Sequence, residues 1–348
     1  AKDYIAYKLT GEICTDYSMA SRTMLLDIRK LKWSEELGEE MGLPLHILPP
    51  IKGSWEIAGE VTSEAAAVTG LRRGTPVVSG GGDRPCEALG SGTIEEGEVN
   101  IGTGTGTCFE VPLNQPRPDP KMRVDTCVHV VPNRWEYEIV VNATGESLRW
   151  FRDHLGHWEV EEAGRRGVSP YDILLQEASA IPPGSDNLFY YPHLWGAKAP
   201  FFNAKAKAAF IGLTHAHTRA HMVRAILEGV AYHYRGVFEL LKELGVEVRR
   251  VTMTGGEVRS ELWNRIKASV VGSKIQLPRV SDAASLGASI LAAVGSGQYK
   301  TFEQAVTSMI SIEREVEPDP GLEAMYRELY DKYVTVYKKL EGVFDVLQ

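Results

Sequence analysis

In Val77-Val78-Ser79-Gly80-Gly81-Gly82-Asp83 a short apolar run stops on three glycines and presents one carboxylate. Further on, Ile101-Gly102-Thr103-Gly104-Thr105-Gly106 is another apolar run, ending in alternating Gly and Thr with nothing acidic in it. A strand that ends in glycines lets backbone approach a ligand closely, and successive N–H groups in such a turn form an anion-binding nest. One loop therefore offers a base and the other a phosphate cradle, a pairing that suits phosphoryl transfer to a hydroxyl. The Thr103 and Thr105 hydroxyls are expected to donate to phosphate oxygens. A third glycine-ended strand, before Gly255-Gly256, adds the kind of backbone approach a nucleotide needs. No Lys follows in the GxxxxGKS manner and residues 102–107 do not satisfy GxGxxG, which excludes the Walker and dinucleotide loops.

These loops need elements to carry them. Pro76 to Ser79 reads as a short buried strand and Cys86 to Gly90 as a helix. Glu98–Ile101, Thr107–Val111, Thr126–Val131 and Trp135–Val141 are rich in β-branched and aromatic residues, which predicts an antiparallel meander with a surface loop at 112–121. Helices are expected from Gly145 to Leu155, Arg219 to Leu244, Ser260 to Val271 and Gly321 to Phe344. Ala283 to Val294 reads as a small-residue helix that must pack closely. Before residue 76, helices ending at Gly11, Met41-Gly42 and Gly70 are expected, with Ser34 as an N-cap and Thr15–Ser18 as a turn. Residues 156–208, rich in Pro, Gly and aromatics, read as irregular. The glycine-ended strands at 77 and 251 look like equivalent pieces of two halves. The layout is mixed α/β.

At 348 residues the chain is long enough for about two domains. Its formal net charge of −8, with no basic stripe, argues against nucleic-acid or anionic-membrane partners. No apolar run reaches membrane-spanning length. Cys14, Cys86, Cys108 and Cys127 show no CxxC spacing and read as reduced, buried thiols of a cytoplasmic protein.

The sequence resembles the FGGY carbohydrate kinases. Asp16-Tyr17-Ser18-x-Ala20-Ser21-x-Thr23-Met24-Leu25, Gly80–Asp83 and Ile101–Gly104 carry the likeness. It continues through Thr144-Gly145-x-x-Leu148-x-Trp150, Phe210-Ile211-Gly212-Leu213-Thr214, Arg224-Ala225-x-Leu227-Glu228-Gly229 and Gly255-Gly256. These motifs stand in the family's order over nearly the whole chain. The resemblance implies a two-domain sugar kinase/actin-like ATPase (ribonuclease H-like) fold. Residues 1–97 then correspond to the remainder of an incomplete first, sugar-binding domain and 98–348 to the second, nucleotide-binding domain. Roughly 150 residues, about one domain, are expected to precede Ala1. The partner supplying them is expected to be a separate N-terminal chain, or the chain is a fragment; a homodimer is the other partner expectation.

The roles implied by the resemblance follow position by position. Asp83 matches the catalytic base that takes the proton of the sugar hydroxyl. Gly102, Thr103 and Gly104 match the phosphate loop, Thr103 as the phosphate-contacting residue. Gly145 and Arg149 fall where the next helix start approaches the nucleotide, and Gly255, Gly256 and Ser260 fall where adenosine is held. ATP and Mg²⁺ are implied, the ion bound chiefly through phosphates and water. The acceptor implied is a sugar or polyol, a ketopentose such as xylulose first, with glycerol or an aldonate as alternatives. Arg84 and Arg149 depart from the family, which has a small or amide residue and often Gln there; Arg84 is expected to pull on Asp83 or contact phosphate. A rival reading is a catalytically incompetent nucleotide-binding subunit, which has no need of a carboxylate at position 83.

Two other groups have weaker claims. His215, His217 and His221 offer an H-x-H and an i,i+4 pair, but a loop and helix start is the expected role over metal binding. The aromatics Phe189, Tyr190, Tyr191, Trp195, Phe201 and Phe202 are expected in core or hinge packing rather than on a sugar.

Overall fold

The computed structural model describes residues 1–347. The chain forms two compact units. The first holds Ala1–Asn100, Glu110–Glu138 and Pro278–Ile312; the second holds Ile101–Phe109, Ile139–Leu277 and Glu313 onward. The expected division at 97/98 follows chain order, whereas the first compact unit also takes in later segments, and the second lies wholly after that point.

The strands of the largest sheet are, in chain order, β1 (Glu98–Thr103), β2 (Thr107–Leu113), β3 (Asp125–Val128), β4 (Trp135–Val141), β5 (Arg250–Gly255), β6 (Ile275–Pro278) and β7 (Ile312–Val316). Their hydrogen-bonded order is β7-β6-β5-β1-β2-β4-β3. Helices that carry site residues are α1 (Asp83–Gly90), α2 (Thr144–His154), α3 (Pro170–Ser179), α4 (Arg219–Glu243) and α5 (Glu261–Val271).

In the first unit β3 and β4 pair antiparallel, Trp135 opposite Val128, as the meander pattern predicts. The small-residue helix spans Ala283–Gly295 and packs on α1 through two glycines. A Cβ on Gly90 would lie 1.8 Å from the Ala283 carbonyl oxygen, and one on Gly287 would lie 1.9 Å from that of Cys86. Only backbone-to-backbone packing fits there, which is why the sequence is Ala- and Gly-rich. Leu89, Ile94, Val130, Ile290, Leu291 and Phe302 form the adjoining apolar core. The predicted caps are present: Gly42 and Gly70 adopt left-handed φ of 63° and 76°, and Ser34 accepts the Leu37 N–H. Thr15–Ser18 is not a turn. Asp16 ends a short strand and caps the helix Tyr17–Arg22, accepting the N–H groups of Ser18 and Met19. The two strands read as equivalents differ in pairing. Pro76–Val78, half-buried rather than fully buried, pairs antiparallel with Ile57–Glu60, whereas β5 pairs parallel with β6.

In the second unit α4 is buried from Val223 through Val237 apart from the half-buried Arg235. Its Gly229 meets the chain at Tyr190, where a Cβ would sit 2.2 Å from the carbonyl oxygen. Residues 156–208 are more regular than their composition suggests, for they contain the helices His157–Arg166 and α3. The first is polar on most faces, which hides its period. The second carries a legible start signal, Pro170 at its first position inside a Ser169/Asp172 capping box. The helix Phe302–Met309 and β7 were likewise absent from the sequence expectations. Phe189, Tyr190 and Tyr191 pack in the core, with Tyr191 stacked 4.3 Å from Tyr333 between ring centroids, and half-buried Phe201 packs on Tyr337. Trp195 and Phe202 are exposed instead. All four cysteines are buried thiols outside any disulfide. Burial pushes the Cys86 and Cys127 thiols up to about 12.

Candidate active site

Asp83 is the first residue of α1, directly after Gly80–Gly82, and its side chain is exposed. No hydrogen bond or ion pair engages its carboxylate among the described residues. The loop beneath it is tightly held. Asp16, wholly buried, accepts from the Ser18 hydroxyl at 2.5 Å and the Ser54 hydroxyl at 2.7 Å. Ser18 Oγ in turn accepts the Gly82 N–H at 2.9 Å. Lys2 pairs with Asp16 at 2.9 Å and donates to the Ser79 carbonyl at 3.2 Å. A Cβ on Gly81 would lie 2.2 Å from Val130 Cγ1, so the loop lies flat on the core beneath it. Thus a buried carboxylate fixes the loop and leaves the exposed carboxylate unencumbered. The Asp16 role was not read from the sequence, although Asp16-Tyr17-Ser18 was singled out; an acidic residue followed by Ser and a helical run is an N-cap signal.

Arg84 does not pull on Asp83. Its guanidinium turns to Glu87 at 2.8 Å and lies 3.7 Å from buried Glu110. Two more acids are buried in this unit, Glu136 and Glu138 on β4, with Arg22 paired to Glu138. Burial, reinforced by Glu138, holds Glu136 well above the usual carboxylate range. Composition gave no sign of these buried acids, because Glu in a strand otherwise reads as a solvated face.

The second unit contains a cavity of about 450 Å³, a volume that suits a small-molecule site. Gly104, Thr105, Gly145 and Gly256 line it with backbone, Leu148, Leu175 and Trp263 with apolar surface, and Arg149 and Ser260 with polar groups. A Cβ on Gly145 would meet the Gly104 carbonyl oxygen at 2.2 Å, and one on Gly255, whose φ is 88°, would meet that of Thr103 at 1.9 Å. Both glycines are therefore required by close backbone approach. Gly145 stands in the first turn of α2, where helical geometry leaves N–H groups without intrahelical acceptors and favours an anion. Tyr171, at the start of α3, also lines the cavity, and its hydroxyl accepts from Arg152 at 2.9 Å.

The structure gathers Gly104, Gly145, Arg149, Gly256 and Ser260 on one cavity, while Gly102, Thr103 and Gly255 do not line it. Thr103 is the main departure. Its hydroxyl donates to the Thr254 carbonyl at 2.5 Å and accepts the Glu257 N–H at 3.3 Å, joining β1 to the end of β5. Thr105, exposed at the cavity, is the hydroxyl free to meet a phosphate. Ser260 accepts the Trp263 N–H as the N-cap of α5, and Arg149 pairs with Glu146 at 2.5 Å.

Behind the glycines lies a buried polar chain that the sequence reading missed. Lys267, fully buried on α5, pairs with Glu257 and sits 4.2 Å over the Trp263 ring. Tyr234 donates to Glu257 at 3.2 Å and shares a 2.6 Å hydrogen bond with Thr107, which bonds Thr144 at 2.8 Å. Burial lowers the Lys267 pKa against the pull of Glu257. The i, i+10 spacing of Glu257 and Lys267 carries no periodic signal.

The histidines behave as loop and cap groups. His217 Nδ1 accepts the Thr214 N–H and His221 Nδ1 the Thr218 N–H, 2.9 and 3.1 Å respectively. Among the described residues no group of three or more His, Cys, Asp or Glu is placed to hold a metal ion, and no helix is long and apolar enough to cross a membrane.

Similarity to known proteins identifies the class. Residues 1–90 match the N-terminal domain and residues 99–296 the C-terminal domain of the FGGY family of carbohydrate kinases. The chain belongs to that family, and by family it is a phosphotransferase with a carbohydrate acceptor. It is 33% identical over 344 residues to a gluconokinase of Bacillus subtilis, covering 99% of this chain and 67% of that protein. It is 32% identical over 355 residues to an autoinducer-2 kinase of Escherichia coli K12, covering 99% and 65% respectively. The solved structure of xylulose kinase from Rhodospirillum rubrum superposes with a TM-score of 0.87 at 31% identity, covering 99% of this chain and 67% of that one. The chain thus spans about two thirds of the length of these relatives.

Proposed function

We propose that the chain carries out, alone or with an N-terminal partner chain, ATP-dependent phosphorylation of a sugar or polyol hydroxyl, with Asp83 as the general base. The observation that carries this reading is the unpartnered, exposed Asp83 carboxylate on a loop locked by Asp16 and Ser18. A general base needs a free lone pair at a fixed position, and such a base contributes roughly 10²- to 10⁴-fold to rate. A nucleotide-binding module without transfer activity has no use for that arrangement.

The cavity of the second unit holds ATP in this reading. Gly104, Gly145 and Gly256 offer backbone to the phosphates, Thr105 offers a hydroxyl, and Arg149 and Ser260 complete the polar lining. The family's use of ATP supports this, as does the cavity's build: Gly145 stands where any side chain would collide, and an apolar wall lies beside it. Mg²⁺ enters with the phosphates, neutralising charge on the transferred group. The residues on the page then position and deprotonate; little covalent work is left to the protein in phosphoryl transfer. The acceptor is a ketopentose such as xylulose or an aldonate such as gluconate, chemistries handled by the relatives named above, and the setting is cytoplasmic.

The test is an ADP-release assay across ketoses, polyols and aldonates, on the chain alone and with an N-terminal partner chain, alongside calorimetric titration with ATP. The expected result is ATP binding by the chain and release of ADP with one acceptor class. Absence of ATP binding under all conditions refutes the nucleotide assignment; binding without turnover on any acceptor, in either form, favours the non-catalytic subunit.

A further inference from the structure

Glu257 follows Gly256 at the end of β5 and lines the cavity although its side chain is only 5% exposed. Its two oxygens differ. Oε2 is held by Lys267 and by the Tyr234 hydroxyl at 3.2 Å, which fixes the plane of the carboxylate. Oε1 has no hydrogen-bond partner among the described residues. It points toward the start of α2, where a Cβ on Gly145 would stand 3.2 Å from it. Buried carboxylate oxygens are rarely left without a donor, because the lost hydration is uncompensated. A donor on a bound ligand supplies what the protein does not.

The chemistry of that donor is constrained. Lys267 cancels the carboxylate's charge, so the pair offers an acceptor without a net negative field beside a polyphosphate. A neutral hydroxyl fits such a group better than a cation does. In a nucleotide the hydroxyls nearest the phosphates are those of the ribose, and a fixed carboxylate on a ribose diol is a recurrent arrangement in nucleotide-binding folds. We propose that Glu257 selects ribonucleotides, with Oε1 accepting a hydrogen bond from the 2′- or 3′-hydroxyl. This inference rests on the nucleotide reading of the cavity.

Titration calorimetry of the wild-type chain with ATP, 2′-deoxy-ATP and 3′-deoxy-ATP tests it without any substitution. At least one deoxynucleotide is expected to bind about tenfold or more weakly than ATP, the loss of one hydrogen bond to a charged acceptor. The pair Glu257→Ala with Lys267→Met removes both charges together, so that no unpaired ion stays buried. In that variant the ratio between ATP and the deoxynucleotide is expected to fall to within about twofold of one. Should it not fold, Glu257→Gln keeps the shape and is expected to shrink the ratio about threefold or more by replacing a charged acceptor with a neutral one. Equal binding of ATP and both deoxynucleotides by the wild type overturns the proposal while leaving the nucleotide site intact. So does an unchanged ratio in a folded variant. Failure to bind any nucleotide overturns the underlying reading as well.

Discussion

The Asp83 loop of the first unit and the glycine-lined cavity of the second solve opposite electrostatic problems. Around Asp83 buried Asp16 gathers the Ser18 and Ser54 hydroxyls and Lys2, and Ser18 holds the Gly82 N–H, so that the loop is fixed and one surface carboxylate stays free. Around the cavity the structure relies on backbone, packing Gly145 and Gly255 where a side chain would collide and leaving Glu257 Oε1 without a donor. In the function proposed above, the first arrangement presents a base to a neutral hydroxyl. The second prepares a surface for an anion with polar edges. Side chains hold the first loop in place, whereas the second is shaped by the lack of them.

The contrast can be broken from its catalytic end first. Asp83→Asn is expected to lower phosphoryl transfer about 10²- to 10⁴-fold with the ATP dissociation constant unchanged, read by ADP release and calorimetry. Unimpaired turnover removes Asp83 from the role of base. Asp16→Ala takes the acceptor from two serine hydroxyls and two backbone N–H groups. It is expected to cost about 3 kcal/mol in urea unfolding and to lower kcat more than it changes ATP affinity. On the other side, Gly255→Ala puts a Cβ at positive φ against the Thr103 carbonyl. An expected loss of about 2–3 kcal/mol in stability, with weaker ATP binding, follows from strain and overlap combined.

The smallest effect per step concerns pH. Burial pushes His193 in the second unit and His129 in the first down to about 3, and lowers His233, which touches His193, as well. These imidazoles stay neutral when folded, while the unfolded chain takes up protons below about pH 6.5. Stability is therefore full above that pH and falls on acidification toward the folded pKa, at about 1.4 kcal/mol per pH unit for each. His193→Phe is expected to remove about 2 kcal/mol of the stability difference between pH 7 and pH 5, measured by urea titration at both values. An unchanged difference shows that this imidazole titrates normally in the folded protein.

Much of the framework was legible because it is local. Gly42 and Gly70 ended helices, Ser34 capped one, and the strands at 98–141 announced themselves by β-branched content. Such signals act within a few residues, where intrinsic preference decides. The helix His157–Arg166 escaped notice because its polar faces mask its period. The site was half legible for the same reason. The glycines and Asp83 stood out by type, and Gly104, Gly145, Gly256 and Ser260 do meet on one cavity.

By itself the sequence determined that loops of this kind exist, which of them carries a carboxylate, and to which family the pattern belongs. Tertiary structure alone decided which polar atoms are already engaged. Thr103 looks like a phosphate contact until β1 meets the end of β5 and its hydroxyl bonds Thr254. Arg84 looks like a partner for Asp83 until it turns to Glu87. Asp16 and Glu257 look like ordinary acids until burial makes one the anchor of a loop and leaves the other with an open oxygen. Hydrogen bonding between residues as far apart as 103 and 254 is set by packing, and no spacing along the chain encodes it.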